Sequence, residues 1–177
     1  MQLPRVSGDQ TAAETTYAIG KSSLGAVLVA RRPAGVCAIL LGDNPDRLRR
    51  DLGEIFPDCA ISAGDGALAP ELAAAIGLAE RPWAAFEPPL AIGGTEFQRR
   101  VWSAVRDVPA GETVSYAEIA RRIGAPASLR AVAGACAANV LAIAIPCHRI
   151  LRSNGSLSGY RWGLERKRTL LDREKKA

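Results

Sequence analysis

The chain has 177 residues, of which 48% are hydrophobic and 23% charged, ordinary proportions for a globular protein that buries a core. No apolar run approaches the roughly 18 residues of a membrane-spanning helix, and the N-terminus lacks the apolar segment of a secretory signal. The formal net charge of +5 is unevenly distributed, because residues 1–93 carry 8 basic and 11 acidic side chains, whereas residues 94–177 carry 15 and 7. An arginine-rich second half suits a surface that meets a polyanion, although a solvated surface without a partner explains the charge as well.

The cysteine and histidine content argues against a structural metal site. The chain has four cysteines, widely spaced and without a Cys-x-x-Cys pair, and a single histidine. Zinc sites need clustered ligands, so we expect no metal. Free cysteines persist in the reducing cytoplasm, where we expect the protein to be located.

The first half of the chain has the pattern of a small α/β domain. After a polar, flexible lead-in over residues 1–15, apolar residues alternate loosely and predict two strands joined by a turn around Gly20-Lys21. A third, buried strand over 35–41 is followed by two helices with apolar residues at helical spacing. These helices are predicted over 46–56 and 70–80. We therefore expect an N-terminal α/β domain over residues 16–87.

A cluster of prolines and glycines over 88–94 predicts a linker. After it, Thr95 to Gln98 forms a capping-box pattern that begins a helix, and Ser115 to Glu118 forms another. The second helix is short and ends at a glycine-containing turn over 124–126, and a third helix follows over 127–138. A short helix, a glycine-containing turn and another helix are typical of a helix-turn-helix motif.

The third helix consists almost entirely of small residues, and Arg130 is its one long polar side chain. A helix with ordinary side chains is about 10–12 Å wide, whereas the minor groove of DNA is only about 6 Å wide. A helix reduced to alanine and glycine could press against that groove, with Arg130 reaching toward the bases. Small residues would equally permit close packing in a core, and the pattern does not decide between these interpretations.

The stretch over residues 139–150 carries the candidate chemistry. An apolar run predicts a buried strand that Pro146 ends, because proline has no N–H to donate. Cys147 and His148 follow at once, and His148 is the only histidine in the chain. A thiol beside the sole imidazole is a candidate nucleophile and base. A cysteine after an apolar strand is more often a small buried hydrophobe, and neighbouring residues on a regular strand point to opposite faces.

The C-terminal segment predicts a hairpin and a closing helix. Asn154-Gly155 between two short apolar runs is a hairpin signal. The helix over 163–175 has Leu164, Leu170 and Leu171 facing inward and basic residues facing outward. With the preceding helices, these elements predict a mostly α-helical domain over 95–177, in which a short strand or hairpin carries Cys147.

Together these residues resemble the O6-alkylguanine-DNA alkyltransferases. The motif Pro146-Cys147-His148-Arg149 and the segment Gly-Tyr-Arg-Trp-Gly over 159–163 carry the likeness. Further matches at the family's spacings are Phe97, Trp102, residues 109–113, Ser115-Tyr116 and Arg130-Ala131-Val132. The likeness is specific over about 93–174 and looser over 17–56, and it is similar above all to the C-terminal half of bacterial Ada proteins and to stand-alone relatives. It implies that the N-terminal domain is ribonuclease-H-like.

The resemblance implies direct-reversal DNA repair: irreversible, stoichiometric transfer of an alkyl group, mainly methyl, from O6 of guanine and also from O4 of thymine. Cys147 would accept the group, His148 would take the thiol proton through a water molecule, and Glu174 would hold the imidazole. Asn139 would organise the thiol by hydrogen bonds, and Tyr116 would donate toward N3 of the departing guanine. No cofactor is implied, and each molecule of such a single-turnover methyltransferase is consumed by one repair.

The resemblance also implies that the protein, as a monomer, binds double-stranded DNA through the minor groove and flips the damaged base outward. Arg130 would fill the gap left in the duplex, and Trp162 at the pocket rim would favour small alkyl groups. The other implied DNA contacts are Ser115, Ala131 and Ala135, and the implied pocket residues are Cys136, Ile150, Tyr160 and Arg161. The alternative function is that of a non-catalytic binder of alkylated DNA.

Overall fold

The first four strands form one mixed sheet. The computed structural model describes residues 14–64 and 66–176. The strands are β1 (Thr15–Ser22), β2 (Gly25–Arg32), β3 (Gly35–Gly42) and β4 (Ile61–Ala63). Their order is β3-β2-β1-β4, in which β1 to β3 are antiparallel and β4 is parallel to β1. The predicted lead-in lies outside the described residues except for its last two, of which Thr15 already belongs to β1.

The turn between β1 and β2 lies further along the chain than predicted. Ser22 pairs with Gly25 across it, so Gly20-Lys21 lies inside β1. A Cβ on Gly20 would lie 2.9 Å from the end of the Ile76 side chain. The close approach of a helix, and not a turn, therefore explains this glycine.

Two helices pack on the sheet, close to their predicted positions. They are α1 (Pro45–Ile55) and α2 (Ala69–Glu80). Asn44 caps α1 by accepting hydrogen bonds from the N–H groups of Asp46 at 2.8 Å and Arg47 at 3.2 Å, as N-cap side chains do. Helix α1 contacts β2 and β3, and α2 contacts β1 and β2. Strand β4 is not predicted from the sequence, because three residues are too few to show a periodicity.

The predicted linker over 88–94 runs along the edge of β3. The N–H of Val36 donates to the Pro89 carbonyl, and the N–H of Ala91 donates to the Val36 carbonyl, both at 2.8 Å. Leu90 thereby forms a single parallel bridge with Val36. This pairing guides the chain from the sheet to the next helix, while the domain boundaries stay a prediction.

Three helices follow the linker. They are α3 (Glu96–Arg106), α4 (Tyr116–Arg122) and α5 (Leu129–Ala137). The capping box of α3 is complete, since the Gln98 N–H donates to Thr95 Oγ1 at 3.2 Å and the Thr95 N–H donates to Gln98 Oε1 at 2.9 Å. Ser115 caps α4 by accepting from the Glu118 N–H at 3.1 Å, but the Glu118 carboxylate binds neighbouring arginines instead of closing a second box.

Helices α4 and α5 are joined by a turn that contains Gly124. Its φ of 69° lies in the left-handed region that favours glycine. Helix α5 packs against α3 and α4, and the indole N–H of Trp102 donates to the Ala135 carbonyl at 2.8 Å. The predicted short helix, glycine-containing turn and second helix are therefore present.

The predicted strand before Cys147 is wrong. Residues 140–145 form a loop in which Ile143 has a φ of 66°, a conformation that β-branched residues rarely adopt. The run makes one parallel bridge to β3, in which the Ile39 N–H donates to the Val140 carbonyl at 2.8 Å and the Ala142 N–H donates to the Ile39 carbonyl at 2.9 Å. The pairing does not extend into a strand, and the Leu141 N–H donates to the Asn139 side chain at 2.8 Å instead. The loop nevertheless buries its apolar side chains, because a turn inside a core satisfies a hydrophobic run as well as a strand does.

Cys147 begins a short 3-10 helix, Cys147–Arg149, that leads into strand β6 (Ile150–Leu151). Strand β6 pairs in parallel with β5 (Val114–Ser115). The predicted hairpin is therefore wrong. The residues around Asn154-Gly155 form a turn, closed by the Arg152 N–H, but no strand follows that turn.

The closing helix is α6 (Leu164–Glu174). Leu170 and Leu171 are buried as predicted, whereas Leu164 is 46% exposed, so the prediction for Leu164 is wrong. Lys167 faces inward instead and is fully buried. No helix in the described part of the chain is long and apolar enough to cross a membrane.

Candidate active site

Asn139 shapes the loop that carries Cys147. Its side-chain amide donates to the Ile145 carbonyl at 3.0 Å and to the Cys147 sulfur at 3.4 Å. Its side-chain oxygen accepts the Leu141 N–H. Asn139 and Cys147 are both buried. One side chain therefore holds the loop and directs a donor at the sulfur, which favours the thiolate over the thiol.

The surroundings of Cys147 keep its thiol protonated at neutral pH. A hydrogen bond with the Cys136 thiol, together with burial, raises the pKa of Cys147 well above its ordinary value. The Asn139 amide and the Lys167 charge act in the opposite direction, but more weakly. The thiolate is the nucleophilic form, so it has to be generated within the site.

His148 is fully buried and joined to Glu174. Its Nε2 atom lies 2.9 Å from Glu174 Oε1, and it donates to that carboxylate when the ring is neutral. Its Nδ1 atom is buried and has no hydrogen-bond partner among the described residues, so its lone pair is free to accept a proton. Burial lowers the pKa of His148 against the effect of Glu174, and the charges of Arg149 and Lys167 lower it further. The imidazole is therefore a neutral base at pH 7.

Arg149 shares the Glu174 carboxylate with His148. Its guanidinium donates to both carboxylate oxygens at 2.8 to 3.2 Å, and to the carbonyls of Val108 at 2.6 Å and Pro82 at 3.1 Å. Burial alone would raise the pKa of Glu174, but hydrogen bonds from His148 and Arg149 outweigh it, so this pKa is lowered. The carboxylate stays ionised and holds the imidazole in one orientation.

A second buried chain of polar groups ends at Lys167. The Tyr116 hydroxyl lies 2.7 Å from Ser158 Oγ. Lys167 Nζ donates to Ser158 Oγ at 3.1 Å and to the Ile150 carbonyl at 2.5 Å. Burial lowers the pKa of Lys167 to about 8, and burial also raises the pKa of Tyr116. Neither Ser158 nor Lys167 is predicted as a site residue from the sequence.

An open cleft of about 450 Å³ runs beside α5. The predicted site residues that line it are Tyr116, Arg130, Cys136, Cys147, Tyr160 and Arg161. Ser158 lines it as well. The Tyr160 hydroxyl and one terminal nitrogen of Arg161 are buried without a hydrogen-bond partner among the described residues. The wall of the cleft therefore combines a thiol with polar and charged side chains.

The other predicted residues are not among those that line the cleft, and Ile150, predicted as a pocket residue, is fully buried in β6. Ser115 is the N-cap of α4, and Ala131 is exposed on α5. Ala135 is only 2% exposed, so its side chain offers no surface to DNA. Trp162 is buried in the core, and its predicted place at the pocket rim is wrong. It supports Arg161 instead, whose guanidinium lies 5.2 Å from the centre of the indole ring.

The rim of the cleft is positively charged. Arg130 is exposed near the start of α5, and Arg152 and Arg161 line the same cleft. Arginines gathered at a concave surface attract phosphate groups. The site thus places cationic side chains around an opening that leads to a buried thiol.

Known proteins match both the sequence and the fold. A family model described as "6-O-methylguanine DNA methyltransferase, DNA binding domain" matches residues 96–176. The crystal structure of Mycobacterium tuberculosis OGT in complex with DNA is 33% identical, covers 91% of this chain and 93% of that one, and superposes with a TM-score of 0.71. This chain belongs to the O6-methylguanine DNA methyltransferase family. The predicted resemblance is confirmed, and so is an N-terminal α/β sheet domain ahead of a helical C-terminal DNA-binding domain.

Two curated relatives place the chain within the family. It is 48% identical over 158 residues to the bifunctional transcriptional activator/DNA repair enzyme Ada of Escherichia coli, which covers 89% of this chain and 45% of that protein. It is 52% identical over 91 residues to the methylated-DNA–protein-cysteine methyltransferase of Mycolicibacterium paratuberculosis, which covers 51% of this chain and 55% of that protein. The chain therefore spans about half the length of the curated relatives it matches.

Proposed function

We propose that the protein repairs DNA by transferring an alkyl group, mainly methyl, from O6 of guanine in duplex DNA to Cys147, and from O4 of thymine in the same way. The observation that carries this proposal is the buried thiol in the wall of the cleft, beside the His148–Glu174 pair and bonded by Asn139. The names of the relatives, a methylated-DNA–protein-cysteine methyltransferase and a DNA repair enzyme, support it.

Transfer begins when Cys147 loses its proton. Nδ1 of His148 accepts it, through a water molecule as the family resemblance implies, and Glu174 stabilises the imidazolium. The thiolate attacks the alkyl carbon, so that an S–C bond forms, the C–O6 bond breaks and guanine leaves as an anion. The product is a thioether, and no group in the cleft can displace it, so one molecule repairs one lesion.

The departing guanine needs a proton, and the second polar chain can supply one. Tyr116 donates its hydroxyl proton to guanine N3, Ser158 passes a proton to Tyr116, and the Lys167 ammonium replaces the proton of Ser158. Lys167 ends neutral, and the negative charge of the leaving group is removed. A lysine whose pKa is near 8 suits this step, because it is protonated at pH 7 yet gives up its proton at small cost.

Main-chain groups of the cleft recognise the base. We assign the carbonyls of Cys147 and Ile150 to the exocyclic amine of guanine and the N–H of Arg161 to O6. The Cys147 carbonyl already accepts the Ile150 N–H, and the Ile150 carbonyl accepts Lys167. A carbonyl has two lone pairs, so the Cys147 carbonyl keeps one for the base. The Ile150 carbonyl also accepts from Ser158 Oγ at 3.5 Å, and the base would have to replace that long contact. The side chains of Cys136 and Tyr160 complete the pocket wall.

The base reaches the cleft by leaving the duplex, as in other enzymes that act on stacked bases. The small-residue face of α5 would lie in the minor groove, with Ser115 and Ala131 beside it at the DNA. Arg130 would occupy the gap in the base stack. Because such binding depends on phosphate contacts, it should weaken as the salt concentration rises.

We further propose a ribonuclease-H-like N-terminal domain over 16–87, a linker over 88–94 and a transfer domain over 95–177. Three antiparallel strands, a helix and a fourth strand parallel to the first support that comparison. The monomeric state and the cytoplasmic location stay predictions. Among the described residues no three potential metal ligands are grouped, and the proposed reaction uses the thiol alone as acceptor.

A stoichiometric titration tests this function. Increasing amounts of a duplex with one O6-methylguanine are incubated with a fixed amount of protein, and the restored guanine is counted. The proposal predicts a plateau at one guanine per molecule. Continued turnover would indicate a thiol hydrolase or another true catalyst, and tight binding without restored guanine would favour the non-catalytic binder.

A further inference from the structure

The proposed transfer uses the sulfur of Cys147 and leaves a second thiol in the same cleft without a chemical role. Cys136 on α5 and Cys147 on the 3-10 helix both line the cleft, and the Cys136 thiol is the strongest influence that raises the pKa of Cys147. Asn139 links the two positions, since its N–H donates to the Cys136 carbonyl at 3.3 Å and its side chain donates to the Cys147 sulfur at 3.4 Å. Two thiols that face the same cleft and are linked through one asparagine are candidates for a disulfide, which requires the two Cα atoms to lie within about 7 Å.

The other two cysteines have different surroundings. The Cys37 thiol is buried in β3 and donates to the Ala30 carbonyl at 3.4 Å. The Cys59 sulfur accepts a hydrogen bond from the Arg32 guanidinium at 2.7 Å. Neither residue lines the cleft, so both serve as internal controls.

We propose that Cys136 and Cys147 form a reversible disulfide when the protein meets a peroxide, and that this modification protects the alkyl acceptor. The proposal rests on the function proposed above, because that function makes Cys147 the residue whose loss ends repair. A thiolate oxidised by peroxide passes through a sulfenic acid to the irreversible sulfinic and sulfonic acids unless a second thiol intercepts it. Cys136 is in place to intercept it.

The reaction balances with hydrogen peroxide as the oxidant. Cys147 gives its proton to His148, and the thiolate attacks one peroxide oxygen. An S–O bond forms, the O–O bond breaks, and hydroxide leaves as water with the proton from His148. The Cys136 sulfur then attacks the sulfenic sulfur, an S–S bond forms, the S–O bond breaks, and a second water leaves with the Cys136 proton. Two thiols and one peroxide give one disulfide and two waters.

The disulfide would block repair until it is reduced. It removes the nucleophile and occupies the wall of the cleft where the alkyl group has to lie. A thiol reductant reverses it by thiol–disulfide exchange. An oxidised molecule would therefore recover its repair activity on reduction and would not be permanently inactivated.

The test uses the full chain and hydrogen peroxide, without DNA in the first step. After treatment under non-reducing conditions, we expect an intact mass lower by two hydrogens and a peptide that joins Cys136 to Cys147. Methyl acceptance from an O6-methylguanine duplex should be lost and then restored in full by dithiothreitol. Cys59→Ser and Cys37→Ala should behave like the natural chain, whereas Cys136→Ala should gain oxygen on Cys147 and stay inactive after reduction.

Other outcomes overturn the proposal. Oxygen added to Cys147 in the natural chain, a disulfide through Cys37 or Cys59, or no change in mass would each do so. The peptide map of the natural chain decides the question even if Cys136→Ala does not fold. Methyl acceptance by untreated, reduced protein is measured separately, so a failure of the proposed function is distinguishable from a failure of the disulfide.

Discussion

The sheet half of the molecule, residues 14–87, and the site half, residues 95–176, bury different kinds of side chain. The interior of the sheet half is almost wholly aliphatic, and Arg32 is its buried charged residue among those described. The site half buries His148, Arg149, Lys167 and Glu174. Burying ionisable groups costs free energy that aliphatic packing does not. The site half carries that cost where the proposed chemistry takes place.

Because of this difference, we expect substitutions in the two halves to have different effects on stability and on reactivity. Substitutions in the sheet half should change the free energy of unfolding and leave the chemistry of folded molecules intact. Substitutions among the buried ionisable groups should change the rate of transfer, with or without an effect on stability.

Glu174→Gln should lower the single-turnover rate of methyl transfer by about a hundredfold, the scale of a lost acid–base contribution. Glutamine can still accept a hydrogen bond from His148, but it cannot stabilise the imidazolium. It also leaves the buried Arg149 without its anionic partner, which should reduce the free energy of unfolding by about 3 kcal/mol. Rapid-quench kinetics and urea unfolding measure the two effects.

Asp172→Asn is the matched control on the same helix, because Asp172 is exposed. It should leave both quantities unchanged. If Glu174→Gln destabilised the protein but transferred methyl at the natural rate once folded, Glu174 would be structural, and the contrast between the halves would fail.

Arg130→Ala should slow repair of duplex DNA by about tenfold, because extruding a base costs a few kcal/mol that the inserted side chain helps to offset. Reaction with free O6-methylguanine base should keep its rate, because no flipping is needed. Arg168→Ala, which removes another exposed arginine, provides the control. Equal losses on duplex and free base would contradict the flipping role.

Lys167→Met should change the pH profile of transfer more than its rate at neutral pH. The pKa of His148 is lowered by burial, so the acid limb should lie at a lower pH than the ordinary histidine pKa of about 6.5. The pKa of Lys167 is about 8, so its proton is lost as the pH rises through 8. The rate of methyl transfer by the natural protein should therefore fall a few-fold above pH 8.

In the Lys167→Met variant the rate of methyl transfer should no longer fall above pH 8, because position 167 then carries no titrating group. Ser158→Ala interrupts the same series of hydrogen bonds between Tyr116 and Lys167, so the fall in rate above pH 8 should disappear in this variant too. If the rate still fell above pH 8 in both variants, that fall would belong to another titrating group, and Lys167 would be a packing residue only.

Leu52→Ala should have no effect on transfer by folded molecules. Leu52 is fully buried in α1, so its truncation should reduce the free energy of unfolding by about 2–5 kcal/mol through lost burial and a cavity. Urea unfolding measures the loss, and active-site titration normalises the rate to folded protein. A slower normalised rate would show that the sheet half contributes to the chemistry.

The two halves also differ in how far they are predictable from sequence. Strand β3, helices α1 and α2, and the capping box of α3 follow from local patterns, because periodicity and capping are local. The loop over 140–145 does not, since a buried turn and a buried strand show the same run of apolar residues. The pairing of β6 with β5 joins segments far apart in the chain, which no local turn signal reveals.

Within the site, chemical identity singles out Cys147 and His148, and the family resemblance adds Asn139 and Glu174. The burial of Lys167 and the role of Arg149 are not predicted. Lys167 lies in the charged run 165–168, which is typical of a solvated helix face. Its spacing relative to Leu170, Leu171 and Glu174 is the signal that was available, because positions three, four and seven residues apart share one helix face. Arg149 gives no comparable signal, because its partners come from distant segments.

The central claim is that Cys147, among four cysteines, accepts the alkyl group. Reduced protein is incubated with a duplex that carries one O6-methylguanine with a deuterated methyl group, and its peptides are mapped by mass spectrometry. We expect one labelled methyl group per molecule, on Cys147, and no label in Cys147→Ala. Label on Cys136, or an unlabelled protein that still binds the duplex, would contradict it.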